Sequence, residues 1–185
     1  GLVTTATTAK TFSLVKREEV AENTRAFHFT KPAGFEFQAG QSIDLKLIKP
    51  PETDDEGNTR AFSIASAPSD LDLMIATRMR NTAFKRVLRK MALGTEVKII
   101  GPSGSFTLHK NAAKPAVLLA GGIGITPFFS IVRQATRDNL AHEMYLFYSN
   151  RRPQDAPFLA ALQEIAKQNP KLRFIPDNDA IAIRY

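Results

Sequence analysis

Apolar and polar positions alternate with period two through most of the first 110 residues, the pattern of half-buried strands. In Thr24–Thr30, Ala26, His28 and Thr30 alternate with Arg25, Phe27 and Phe29. In Ser42–Ile48, Ile43, Leu45 and Leu47 alternate with Asp44, Lys46 and Ile48. Thr11–Val15, Arg60–Ala65, Leu71–Arg78 and Glu96–Ile100 complete a set of six predicted strands. Pro32–Gly34, Gly40, Pro50–Pro51, Pro68 and Gly94 separate them as turns. Six short strands at this spacing predict a small antiparallel barrel of Greek-key type, which removes exposed edges by closing. One helix interrupts them over Thr82–Met91, where Phe84, Val87, Leu88 and Met91 share a face and Asn81 or Thr82 can cap the start.

The pattern changes after Lys114. Ala116–Ala120 is a continuous apolar run between Pro115 and Gly121, as expected of a strand buried on both faces. A helix is predicted from Pro127 to about Thr136, a strand over Glu143–Tyr148, a helix from Ala156 to about Gln168 and a strand over Lys171–Ile175. The order β-α-β-α-β implies a parallel sheet covered by helices. The predicted fold is therefore a β-barrel domain over residues 1–110 followed by an α/β domain over residues 111–185. The acidic block Glu52–Glu56 falls in a loop marked by Pro50, Pro51 and Gly57, and reads as a solvated excursion.

Composition narrows the chemistry. The 185 residues are 43% hydrophobic and 23% charged, a globular balance. Cysteine is absent, which removes disulfides, thiolate nucleophiles and cysteine-held metal centres from this chain. The three histidines, His28, His109 and His142, are scattered, so no metal site is expected. No apolar run nears the ~20 residues of a membrane helix, and residues 1–10 lack the order of a signal peptide. A cytoplasmic protein without integral membrane contact is expected, and difficult chemistry would fall to a bound organic cofactor.

Three stretches carry candidate chemistry. Gly121-Gly122-Ile123-Gly124-Ile125-Thr126-Pro127 lies at a strand-to-helix turn, with Thr126 as N-cap and Pro127 at the first helical position. Such a helix start attracts a nucleotide phosphate, although a tight turn without ligand has the same sequence. The next strand ends in Tyr148-Ser149-Asn150-Arg151-Arg152, where arginine forks suit a ribose 2′-phosphate or are simply solvated. Arg60-Ala61-Phe62-Ser63-Ile64-Ala65-Ser66 places Arg60, Phe62 and Ile64 on one strand face and Ala61, Ser63 and Ala65 on the other. That is a cation, a flat apolar surface and a hydroxyl in one element, or an ordinary barrel strand. The net charge of +7 concentrates in Arg78, Arg80, Lys85, Arg86, Arg89 and Lys90, within thirteen residues that hold no acid. A cofactor pyrophosphate site and a docking face for an acidic protein are both open, and no RNA-binding signature favours nucleic acid.

In this order the motifs resemble those of the ferredoxin–NADP reductase superfamily. Arg60-x-Phe62-Ser63-x-x-Ser66 resembles its flavin motif Arg-x-Tyr-Ser-x-x-Ser. Gly101-Pro102-Ser103-Gly104-Ser105-Phe106 resembles the turn that closes its flavin domain, and Gly122–Pro127 its nicotinamide pyrophosphate loop. Gly40-Gln41 after Phe35-Glu36-Phe37 resembles the approach to its third strand. The resemblance implies a barrel that binds FAD and a second domain that binds NAD(P)H; Ser149, Arg151 and Arg152 favour NADPH over NADH.

It further implies roles by position. Arg60 would meet the flavin phosphates, Phe62 would pack on the isoalloxazine, and Ser63 would be the catalytic hydrogen-bond donor near N5. Ala61 and Ile64 would complete that contact strand. Ala76, Thr77 and Arg78 would line the ribityl and phosphate path. Thr82, Ala83, Phe84 and Lys85 would hold the pyrophosphate. Gly122, Gly124 and Thr126 would guide the nicotinamide, Ser149 and Arg151 would read the adenosine end, and Tyr185 would stack on the flavin. Phe62 stands where the family has Tyr, and Lys85 where Ser is frequent. The family's nicotinamide domain continues with further strands and a Cys-Gly-Pro-like motif. Here Ala180–Arg184 resembles its final strand soon after Ile175, so the middle is absent or the protein is short. The implied activity is hydride transfer from NAD(P)H to flavin and electron delivery to a ferredoxin- or flavodoxin-like acceptor. A flavin reductase, a monooxygenase reductase component and a non-catalytic flavin-binding subunit are the alternatives.

Overall fold

The computed structural model describes residues 9–178. Its first half is a six-stranded antiparallel sheet formed by β1 (Lys10–Ala21), β2 (Thr24–Thr30), β3 (Ser42–Leu47), β4 (Thr59–Ser63), β5 (Asp72–Arg78) and β6 (Glu96–Ser103). The spatial order β4-β3-β6-β1-β2-β5 is the expected Greek-key arrangement. Just beyond β4 the Ala65 N–H donates to the Met74 carbonyl at 2.8 Å, which draws the two end strands together and closes the barrel. β1 is much longer than Thr11–Val15 because it serves two neighbours. Its first residues pair with β6 and the rest with β2, with register shifts near Leu14 and Glu19. Such irregularities bend a strand. The polar stretch Lys16–Glu19 hid the extension, since alternation fails where the strand bends.

Period-two alternation fills the barrel with Phe12, Leu14, Phe27, Phe29, Ile43, Leu45, Leu73, Ile75, Val97 and Ile99, all essentially inaccessible. Burying each large side chain is worth ~1.5–3 kcal/mol. Helix α1 (Ala83–Lys90) packs on this core through Phe84, Val87 and Leu88. Thr82 is its N-cap, accepting from the Lys85 N–H at 3.4 Å. At the other end the Arg17 guanidinium donates to the carbonyls of Leu88, Arg89 and Met91, a cation where the helix dipole is negative.

The second half is a parallel sheet in the order β7 (Ala116–Gly121), β8 (Met144–Asn150), β9 (Leu172–Asn178). Helices α2 (Thr126–Arg137) and α3 (Leu159–Gln168) complete the predicted alternation. α3 starts later than Ala156 because a 3-10 turn, Pro153–Asp155, precedes it. One expectation is corrected: β7 is not buried on both faces. Ala116 and Leu118 are buried with α2, but Val117 and Leu119 are 62% and 69% exposed. Register places Leu119 beside Phe147 and Ile175, which are also exposed. Among the described residues both helices cover the same face. The expected strand over Ala180–Arg184 and the Tyr185 contact lie outside those residues.

The halves meet along a packed seam. Ala26, Ala65, Met74 and Ala76 of the barrel share one apolar cluster with Ile125, Phe128 and Phe129. The buried Ser130 hydroxyl donates to the Ser66 carbonyl at 2.7 Å, and Asp70 forms ion pairs with Arg133 and Arg137. Burial opposes ionisation of Asp70, but the Ala67 N–H and the two guanidinia outweigh it and hold the carboxyl below its ordinary range. Among the described residues no helix is long and apolar enough to cross a membrane.

Candidate functional site

β4 lies at one end of the strand order and presents the Arg-x-Phe-Ser sequence. Register sets Arg60 opposite Leu45 and Phe62 opposite Ile43, both core residues, while Ala61 and Ser63 face Asp44 and Ser42. Arg60 and Phe62 therefore share the inward side at the barrel rim, as alternation predicts. Both rest on Phe84 of α1: the Phe62 and Phe84 rings are 6.0 Å apart, and the Arg60 guanidinium lies 5.1 Å from the Phe84 centroid. Thr82, Ala83 and Lys85 form the adjacent helix start, and the Lys85 ammonium donates to the Arg78 carbonyl at 2.6 Å. Burial pushes the Lys85 pKa down, and the neighbouring Arg80 and Arg60 push it further. A cluster of cations that repel one another, beside a helix N-terminus, fits a phosphate.

The Glu52–Glu56 block is exposed, as expected of a solvated excursion, but its carboxylates are tied to the barrel rim. Glu56 accepts from Arg60 at 2.9 Å, and Asp54 accepts the Ala83 N–H at 3.0 Å with Arg60 at 3.9 Å. Glu52 accepts from Arg86 at 2.8 Å. The Ala83 N–H is the main cause holding the Asp54 carboxyl below its ordinary range. The Glu56/Arg60 spacing was visible in the sequence, but nothing there placed Asp54 at a helix 29 residues away.

Other expected site residues are buried in the barrel. Ile64 is wholly buried, and its N–H donates to the Gln41 carbonyl at 3.0 Å. Phe84, Ala83, Ala76 and Thr77 are also buried, so Phe84 acts as a support beneath Arg60 and Phe62. Gly40 is forced by packing: at φ +101° its backbone lies so close to Phe106 that a Cβ would sit 1.8 Å from the Phe106 oxygen.

At the second site, Gly122 starts a 3-10 turn (Gly122–Ile125) that runs directly into α2. Thr126 is therefore not an N-cap. It is buried, already in the right-handed helical conformation, and the turn before it supplies the helix start. Gly122 has φ +55°, and a Cβ on Gly122 or Gly124 would meet nothing within 4 Å. Packing does not demand these glycines, so they leave room for a ligand against bare backbone. Tyr148 anchors the turn, donating to the Pro157 carbonyl at 2.9 Å with the Gly122 carbonyl at 3.3 Å, and burial raises its phenol pKa.

A cleft of about 380 Å³ is lined by Arg78, Gly122, Ser149, Asn150, Arg151 and Asp155. Ser149 and Arg151 thus share one cleft with Arg78 from the barrel. Arg152 is instead committed to Asp155 and to Glu22, both at 2.8 Å. Asn150 was missed in the sequence; its buried amide oxygen has no partner among the described residues. Among those residues no His, Asp or Glu cluster could hold a metal.

A cation-bearing rim on a closed barrel, and a cleft at the strand ends of a parallel sheet that Arg78 of the barrel also lines, suit a domain that takes two dinucleotides. Residues 11–108 match the oxidoreductase FAD-binding domain and residues 118–180 the oxidoreductase NAD-binding domain. The chain belongs to the ferredoxin–NADP reductase superfamily. It is 31% identical over 144 residues to ferredoxin–NADP reductase B of Sorangium cellulosum, covering 76% of this chain and 57% of that protein. It is 29% identical over 149 residues to the reductase component of propane 2-monooxygenase from Rhodococcus jostii, covering 78% of this chain and 38% of that one. The chain thus spans less than two thirds of these relatives. A crystal structure of an Amycolatopsis cytochrome P450 reductase superposes with TM-score 0.77 at 26% identity, over 97% of this chain and 56% of that one. Ferredoxin–NADP+ reductase from Plasmodium falciparum, 14% identical, shares the fold at TM-score 0.81 over 96% and 74%.

Proposed function

We propose that this chain is the flavin- and nicotinamide-binding part of a reductase that passes electrons to a separate protein. The carrying observation is the Arg78 position: it lines the cleft with Gly122 and Arg151, while its carbonyl holds Lys85 of the phosphate cradle. When bound, FAD and NAD(P)H supply the hydride and electron chemistry. Arg60, Lys85 and the α1 N–H groups hold the flavin pyrophosphate, and Phe62 gives the ring an apolar surface. Ser63 would donate a hydrogen bond to the edge of the flavin ring. The bare backbone at Gly122 and Gly124 takes the nicotinamide dinucleotide, and Arg151 reads a 2′-phosphate in preference to a hydroxyl. The acceptor is a ferredoxin- or flavodoxin-like protein, or an oxygenase as the name of the R. jostii relative suggests.

Anaerobic titration of the FAD-loaded protein with NADPH and NADH tests this. Loss of the oxidised flavin spectrum with NADPH is expected. Flavin that binds but stays oxidised with either nucleotide turns the chain into a flavin-binding subunit, and failure to bind FAD removes the assignment. Arg151→Ala is expected to raise KM for NADPH at least tenfold with little change for NADH; equal changes overturn its role.

A further inference from the structure

We infer that Glu52–Glu56 is a built-in anion that occupies the flavin phosphate cradle and must be displaced as the cofactor loads. The inference rests on the flavin reading above and concerns residues that reading does not use. Three carboxylates of one loop reach two donors of the cradle and Arg86 of the same helix. Asp54 takes the Ala83 N–H at the start of α1, Glu56 takes Arg60, and Glu52 takes Arg86. A helix N-terminus and an arginine fork are the donors a phosphate would choose, so carboxylate and phosphate compete for the same groups.

The loop is shaped to present these groups. The Gly57 N–H donates to the Asp54 carbonyl at 2.9 Å, and the Glu56 N–H donates to Asp54 Oδ1 at 3.0 Å. That turn aims the other Asp54 oxygen, Oδ2, at α1. The Glu52 and Glu56 side chains are 42% and 63% exposed, and exposed ion pairs are individually weak. A dinucleotide with two phosphates can therefore replace them without disturbing the core. The Glu56 contact also offsets part of the repulsion among the cations of the rim before loading.

The test titrates FAD, and separately riboflavin, into the full chain and into its Asp54→Ala/Glu56→Gln variant, following flavin fluorescence. Removing the competing carboxylates is expected to tighten FAD binding roughly threefold to tenfold. Riboflavin, which has no phosphate, is expected to behave alike with both proteins. Equal or weaker FAD binding by the variant overturns the inference and leaves the flavin site standing. A gain shared equally by riboflavin also overturns it, because the effect is then not at the phosphates. FAD binding by neither protein overturns the flavin reading and this inference together. If the double variant does not fold, Glu56→Gln alone is judged by the same criteria, with a smaller gain expected.

Discussion

The barrel and the parallel sheet bury their apolar residues to different extents. Every strand of the barrel sends one face into a closed interior plugged by α1. The sheet buries one face under α2 and α3, while Val117, Leu119, Phe147 and Ile175 lie exposed on the other. The barrel's order is thus internal, whereas the sheet also draws on the seam formed by Asp70, Ser66 and the aromatic residues of α2. The proposed phosphate donors follow the same division. At the barrel rim they are matched with the chain's own carboxylates, and at the sheet end bare glycine backbone lies open.

The sharpest break of this comparison is in the barrel interior. Phe27→Ala is expected to cost ~3–5 kcal/mol in urea unfolding, because the ring is fully buried and its cavity cannot collapse. Gly40→Ala follows, at about 2–3 kcal/mol, from positive φ and a Cβ driven into the Phe106 carbonyl; a melting scan showing no loss would refute the close approach.

Asp70→Asn probes the seam and is expected to cost about 1–2 kcal/mol at neutral pH, since the carboxylate is only partly buried. The folded pKa of Asp70 is depressed, so this contribution is complete above the unfolded value of about 4 and fades as pH falls through the lower folded value. Wild type and variant are therefore expected to differ in stability at pH 7 and to converge in strong acid. Convergence already at pH 6 would mean that the ion pairs do not hold the seam. The smallest effect is on the bare face: Leu119→Gln is expected to change stability by less than about 0.5 kcal/mol and to raise solubility. A loss as large as that of Phe27→Ala would erase the distinction between the halves.

Much of this was legible because alternation and the β-α-β order report burial directly. Five of the six barrel strands fall close to their predicted places, and α1 follows from one apolar stripe. The bend in β1 was hidden, because its polar middle carries no alternation. The bare face of the sheet was hidden too: a continuous apolar run such as Ala116–Ala120 does not reveal how many layers cover it. At the candidate site, motif alone had singled out Arg60 and Gly122. It did not single out Asp54, because a carboxylate on a distant helix end is a tertiary contact. Thr126 misled for a local reason. Its Thr-Pro pair reads as a cap, but a preceding 3-10 turn moved the helix start upstream.

Ser66 gives the molecule a stopwatch. Its carbonyl receives Ser130 from the second half, and its hydroxyl oxygen accepts the Met74 N–H at 2.9 Å inside the barrel wall. The Met74 amide proton can trade with deuterium only after that small knot loosens. Its labelling rate therefore measures how often the barrel wall beside the seam opens, and a ligand that steadies the seam would register as time added to one peptide's exchange curve.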